Sequence, residues 1–323
     1  MTQELLVQNK RTGQVWDIAN MVESVELTTE RTGAPATLKF NIVAARGGLS
    51  FLEGDTVRFS VDGQLQFFGW VFTKVKNRWY DIECTCYDRL RYLKANASYS
   101  FYDMTVGDMI AQIAGDLEVG LGEIADTGYK IPSFIKEDAS CLDIIGEAVQ
   151  QTLLNTGKIY VFYDDGDGLA LKEAAAMTVP VMVGDGSYLL DYEYKTDIDE
   201  MTYNSIKLAR PNAETGRADV VEAKSNTNIA QWGLLQLYQI VDESLNTAQM
   251  EAQARASLEY YNRRMRTISA ESLGVPGVRA GNMLLMQVRN LGDVNLNQYV
   301  LLERVTHTYE NQAHTMSFDT MSI

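Results

Sequence analysis

One stretch of alternating residues, folded back by a tight turn, constrains this chain more than any other. Within LSFLEGDTVRFSVDGQLQFFGWVFTKVKNRWYDIECTCYDRLRYLK (49–94), the turn Glu53-Gly54-Asp55 leads into Val57, Phe59 and Val61, which alternate with Thr56, Arg58 and Ser60. A two-residue period marks a strand with one buried face. Asp62-Gly63 then supplies the positive φ angles of a two-residue hairpin loop. A second strand over Phe67–Val75, a turn at Lys76-Asn77-Arg78 and a third strand over Trp79–Tyr87 complete an antiparallel unit.

The same order of signals returns late in the chain. Gly281-Asn282 stands where Gly54-Asp55 stood, followed by Met283–Val288, the turn Asn290-Leu291-Gly292-Asp293, and strands over Tyr299–Tyr309 and His314–Met321. Side-chain identity between the two stretches is low, so the repeat lies in the order of turns and strands. Ahead of the first stretch, Leu5–Val7, Val15–Ile18, Val22–Glu30 and Leu38–Ile42 add further short strands, which reads as a barrel or sandwich.

The middle changes period. Thr105 with Asp108, and Ser140 with Asp143, are capping boxes ahead of helical faces built on Met109, Ile110 and Ile113, and on Leu142, Ile145 and Val149. Gly157 closes the second helix, and Ile159–Tyr163, the turn Asp164–Gly168 and Leu169–Lys172 make a hairpin. The chain returns with a strand over Asn204–Ala209 and a long helix at about 247–266, capped by Asn246 and Gln249. The fold class that follows is β-rich α+β. Two antiparallel β-barrel-like domains, 1–95 and 201–323, are related by a pseudo-repeat, with a small α+β domain over 96–200 inserted between them. A length of 323 residues suits two or three domains.

The net charge of −15 is unevenly placed. Residues 1–95 carry 12 basic and 11 acidic side chains and residues 201–323 carry 11 and 12, whereas residues 96–200 carry 5 and 20. An acidic block of that size argues against specific nucleic-acid binding, since phosphate recognition draws on Lys and Arg. No apolar run reaches the roughly 18 residues of a membrane-spanning helix, so membrane insertion is not expected. MTQELLVQNKRTG has neither a basic start nor an apolar core, which argues against an export signal. Cys84 and Cys86 share one face of a strand, and Cys141 begins a helix; three unpatterned cysteines fit a reducing compartment.

Catalytic and metal-binding patterns are missing. Counted from Asp164 as position 1, the run Asp164-Asp165-Gly166-Asp167-Gly168 places Leu169 at position 6 and Ala175 at position 12, where a calcium loop needs Gly and Glu. Gly120-Leu121-Gly122 lacks the rest of a dinucleotide fingerprint. His307 and His314 have no HExxH, CxxC or ligand-spaced carboxylate beside them, and there is no GxSxG elbow. No catalytic, cofactor or metal residue is therefore assigned. Trp232, Leu235 and Leu237, in the dense apolar stretch NIAQWGLLQLYQIV, are candidates for a subunit interface as well as for core.

CYDRLRYLKANASYSFYDMTVGDMIAQIA, AQWGLLQ, LGVPGVRAGNMLLM and YVLLERVTHTYENQAHTMSFDTM together resemble the hub proteins of contractile phage tails. The nearest likeness is to hubs of Gram-positive prophages and phage-derived bacteriocin particles; late-control-protein hubs and the base of type VI secretion spikes are more distant. The resemblance implies a structural protein rather than an enzyme. It implies a homotrimer that presents two β-barrels per chain in a pseudo-sixfold ring, fitting a threefold spike to a sixfold tail tube. The implied partners are a spike or tip protein, a tube or tube-initiator protein and baseplate wedge proteins, with no cofactor. Assembly in the bacterial host cytoplasm and a final place in the tail baseplate follow. Because Ile323 closely follows the last strand, no appended lysozyme or peptidase domain is expected. The alternatives are a tail-associated cell-wall hydrolase using His307 or middle-domain carboxylates, and a carbohydrate-binding β module with an exposed aromatic rim.

Overall fold

The computed structural model describes residues 1–43, 45, 48–212, 216–292, 294–310 and 312–321. Asp293 of the expected turn and Ile323 lie outside the described residues. The first β unit comprises β1 (Gln3–Gln8), β2 (Val15–Asp17), β3 (Val22–Glu30), β4 (Thr37–Ile42), β5 (Thr56–Val61), β6 (Gln64–Lys76) and β7 (Ile82–Tyr87). Their order across the sheet is β2-β1-β5-β6-β7-β4-β3, antiparallel throughout. Alternation sends Val57, Phe59 and Val61, Leu38 and Phe40, and both Cys84 and Cys86 into one core. The β5–β6 hairpin turns on Asp62 (φ 48°) and Gly63 (φ 78°), as that dipeptide demands. β7 starts at Ile82 rather than Trp79. Asn77 Oδ1 accepts hydrogen bonds from the Trp79 and Asp81 amides (2.8 and 3.0 Å), which leaves Trp79 and Tyr80 exposed in the turn.

A 3₁₀ turn over Arg89–Lys94 leads into β8 (Asn96–Thr105), α1 (Val106–Asp116), β9 (Leu121–Ile124), β10 (Lys130–Ser140), α2 (Cys141–Thr156), β11 (Tyr160–Asp164) and β12 (Leu169–Glu173). β8 pairs with β10, and β12 lies between β11 and β9. Both helices start as their caps require: Thr105 and Asp108 close a full capping box, and the Ser140 hydroxyl accepts from the Asp143 amide. Gly157 ends α2 with φ 70°. Every residue of β11 is buried, because one face of the β11–β12 hairpin meets the helices and the other packs on Met177 and Leu301.

The second β unit comprises β13 (Thr178–Gly184), β14 (Leu189–Asp197), β18 (Met265–Leu273), β19 (Met283–Val288), β20 (Leu296–Glu310) and β21 (Ala313–Thr320). β13 and β14 lie inside the 96–200 range, yet they pair with β19 and β18. Between β14 and β18 stands a smaller assembly with its own core: β15 (Ser205–Asn212), β16 (Arg217–Lys224), α3 (Asn226–Trp232), β17 (Gln236–Ile240) and α4 (Thr247–Tyr261). The Asn246–Gln249 capping box starts α4, but the helix stops at Tyr261 and Met265 opens a strand. Met265 continues the helical period of Leu258 and Tyr261, but the alternating burial of Ile268, Ala270 and Ser272 that follows decides for the strand.

The two units match tie for tie. Gly54 (φ 88°) donates to Val71 O and Gly281 (φ 90°) to Leu302 O, both at 2.8 Å. The Leu52 amide donates to Asp55 Oδ2 and the Arg279 amide to Asn282 Oδ1, again both at 2.8 Å. Irregularities fall between Val71 and Thr73 in β6 and between Leu302 and Arg304 in β20. The register sets β5, β6, β7, β4 and β3 against β19, β20, β21, β18 and β14. One partner differs: β1 is antiparallel to β5, while β13 is parallel to β19.

The β-rich α+β class with two related β units is as expected, and among the described residues neither unit closes into a complete barrel. In the second unit, β13 and β14 form no ladder, and the one bridge near them joins Gly184 to Tyr188, just ahead of β14. In the first, the β3 edge pairs with β20 instead of returning to β2. β20 is long enough to carry β19 on its first half and β3 on its second, so one 13-stranded sheet runs through both units.

Candidate assembly interface

The seam between the units is an antiparallel ladder from Arg304↔Glu30 to Glu310↔Ser24. Beside it, Arg31 clamps Glu303 with two parallel bonds of 2.9 Å, and the Arg31 amide donates to Glu303 O. A bidentate pair of this kind adds orientation as well as energy. Thr28 and Thr306 bring their hydroxyl oxygens to 3.0 Å across the ladder. Tyr309 belongs to β20 but is buried in the first unit's core, its ring edge-on to Phe59 at 5.0 Å. The seam is therefore packed as an interior.

His307 and His314 meet beneath it. A carbonyl can only accept, so His307 Nε2 donates to Val278 O (2.6 Å) and, in the neutral ring, Nδ1 accepts from His314 Nε2 (2.8 Å). Burial lowers the His307 pKa, and burial together with His307 lowers that of His314 to about 4. Both rings are neutral at pH 7, and His314 stacks on Tyr309 at 4.1 Å. Among the described residues no three His, Cys, Asp or Glu side chains are grouped to hold a metal ion. The pair acts as packing with two satisfied hydrogen bonds.

Three cores converge on Asp164. Arg89, just past the first unit, donates from Nη1 to Asp164 Oδ1 (2.6 Å) and from its amide to Oδ2 (2.9 Å); Arg279 of the second unit donates to Asp164 O (2.9 Å) and lies on the Tyr163 ring. Asp88 accepts from the Ala36 and Leu90 amides. Burial, reinforced by Asp164, pushes the Asp88 pKa up to about 8 against the pull of those amides and Arg279. The cavity here is only about 90 Å³, room for water rather than a substrate. The aspartate run that suggested a solvated hairpin turn thus splits: Asp165 and Asp167 are exposed, and Asp164 is a structural counter-ion. Its role was invisible in sequence because both arginine partners are remote.

Of the apolar stretch, Trp232, Leu235 and Leu237 are half-buried, with Leu237 against the core of the inserted assembly. Leu234, Tyr238 and Ile240 are the exposed members, together with Val220 of the adjoining strand pair. Two strand edges stand out. β14 is one terminal strand of the large sheet among the described residues, β2 being the other end of the path, and the second half of β6, beyond Trp70, pairs with no named strand but β7. No helix among the described residues is long and apolar enough to cross a membrane.

A family model described as YQBQ-like matches residues 25–321. Two proteins of Bacillus subtilis strain 168 are each 28% identical: protein YqbQ, over 93% of this chain and 91% of its own length, and the phage-like element PBSX protein XkdQ, over 93% and 92%. Among solved structures, a tail protein from Neisseria meningitidis MC58 superimposes with a TM-score of 0.74 at 14% identity, covering 100% of this chain and 97% of that one. The 43 kDa tail protein of prophage MuSo2 from Shewanella oneidensis gives 0.72 at 10% identity, covering 99% and 98%. The E. coli c3393 protein, a component of the type VI secretion system, gives 0.57 at 10%, covering 100% and 77%. The fold is that of phage tail proteins, as the sequence resemblance implied.

Proposed function

The chain belongs to the YQBQ-like family, and from that premise we propose that it is a structural hub protein of a contractile phage tail or tail-like particle. It acts as a homotrimer whose paired β units make a pseudo-sixfold ring between a threefold spike and a sixfold tail tube. The observation that carries this reading is the match of the two units: a threefold assembly of a doubled module offers six similar seats. Spike or tip, tube or tube-initiator, and wedge proteins are its partners. It assembles in the bacterial host cytoplasm and ends in the baseplate. The role is not enzymatic: the histidines are neutral and mutually satisfied, and Asp88 and Asp164 are committed to amides and arginines.

The acidic segment lies at the ring's periphery, away from the passage, where its charge meets a basic wedge protein or keeps particles apart. The apolar stretch around Trp232, Leu235 and Leu237, through the exposed Leu234, Tyr238 and Ile240, makes a further subunit or wedge contact. Light scattering on the purified chain, alone and with spike and tube proteins, tests the reading: a trimer is expected, and a strict monomer under every condition contradicts it. A peptidoglycan zymogram tests the hydrolase alternative. No clearing is expected, and clearing that disappears in His307→Ala or His314→Ala would establish an enzyme.

A further inference from the structure

Each β unit has one edge of the β3 type and one flank of the β20 type. Inside the chain, the first unit's edge and the second unit's flank are spent on each other. What remains is the second unit's edge, β14, and the first unit's flank, the C-terminal half of β6. We infer that β14 of one copy pairs with Thr73–Lys76 of β6 in the next copy, repeating the internal seam between chains. This deepens the trimeric reading and rests on it.

The internal registers fix the pairing. β3–β4 sets Val25 against Phe40, and β14–β18 sets Tyr192 against Ala270; β4–β7 and β18–β21 carry the match onward, so β3 residues correspond to β14 residues as Leu27 does to Tyr194 and Thr28 to Lys195. β5–β6 and β19–β20 set Thr306 against Val75 in the same way. The contact between copies then reads Thr73↔Asp197, Lys74↔Thr196, Val75↔Lys195 and Lys76↔Tyr194, antiparallel. Val75↔Lys195 takes the place of Thr306↔Thr28, whose side chains touch in the internal seam.

Charge and exposure agree with this occupant. Lys76 and, in the turn after β6, Arg78 make this end of the flank basic, while Lys74 lies half-buried on Phe51; Asp191, Glu193 and Asp197 outweigh Lys195 and leave the β14 strand acidic. Val25 and Leu27, covered by the seam, are buried, while their counterparts Tyr192 and Tyr194 are exposed and half-buried; Val75 is 56% exposed. A head-to-tail contact closes a ring when its rotation is a third of a turn, and in that ring neither β14 nor the β6 flank is left open for unwanted pairing.

The test is a disulfide. The double variant Val75→Cys/Lys195→Cys places thiols at the register position where the internal threonines touch, within the reach of a cross-strand bridge. Cys84, Cys86 and Cys141 are buried and do not compete. Thr28→Cys/Thr306→Cys serves as control and should form an intrachain bridge only. Oxidised under conditions where the chain oligomerises, the 75/195 variant should run as covalent oligomers up to the trimer on a non-reducing gel, with each single variant running as monomer. An oligomer of normal mass whose thiols stay unlinked overturns this contact and leaves the trimer standing. A chain that stays monomeric at every concentration, alone and with its tail partners, overturns both.

Discussion

The two β units share a backbone plan and differ most where one is covered and the other is not. On the seam-facing flank, Val305, His307 and Tyr309 of β20 point into a packed interior; the register places Lys74 and Lys76 at the positions of Val305 and His307, and β6 ends before it reaches a counterpart of Tyr309. The turn ties are nearly identical in the two units: Asp55 and Asn282 are both buried, and each accepts from the amide three residues earlier. What the duplication retains is the set of bonds that fixes strand entry and register, and what it alters is the chemistry of the edge. An apolar flank suits a partner permanently attached through the chain, whereas a charged flank suits one that arrives from solution.

The comparison breaks most sharply at the junction. Asp164→Ala removes one partner of a buried ion pair and should cost about 3–5 kcal/mol in urea unfolding. Asp167→Lys, on the exposed side of the same hairpin, should stay within about 0.5 kcal/mol. Equal losses for the two would remove Asp164 from its structural role. Next in size, Tyr309→Ala should cost about 3–5 kcal/mol through the cavity it leaves against Phe59, while Lys76→Ala, on the exposed flank of β6, should cost under about 0.5 in the isolated chain. The turns should behave alike: Asp55→Ala and Asn282→Ala are each expected to cost about 1–2 kcal/mol, and a large difference would weaken the equivalence of the units.

The smallest effect is one of pH. The folded pKa of Asp88 lies near 8, above its ordinary value of 3.8, so between the two the folded state holds the extra proton. Stability from this group is complete below about pH 4 and is lost as pH rises through 8. His314 acts with the opposite sign: its folded pKa of about 4 lies below 6.5, so its contribution is present above 6.5 and is lost as pH falls through 4. Asp88→Asn should flatten the alkaline decline in thermal midpoint and leave the acid limb unchanged. A decline equally steep in the variant would assign it to another group.

Much of this architecture was written locally. The Asp62-Gly63 hairpin, the capping residues Thr105, Ser140 and Asn246, and the paired turns at Gly54 and Gly281 each need only a few adjacent residues, and each forms as its chemistry dictates. β8 and β10 were not legible as a pair, because the Asn96–Thr105 and Lys130–Ser140 segments become strands only by meeting each other. Nor could the sequence show that β13 and β14 lie across the boundary at 200 in the second unit's sheet, or that the units join by β3 and β20. Both are pairings between remote segments, chosen by tertiary packing rather than by local propensity. The Asp164 junction is hidden for the same reason: one carboxylate among 43 acidic residues carries no mark of the arginines it will meet.

The most direct test of the equivalence of the two units is an electron cryomicroscopy map of the assembled oligomer or of the particle that holds it. Three copies are expected around one axis, with six β units alternating first and second in a ring, every junction built from a β3-type edge on a β20-type flank. The acidic segment should lie outside that ring. A map in which the first and second units occupy different levels or face opposite ways, or in which Asp165 and Asp167 line the central passage, would contradict this arrangement.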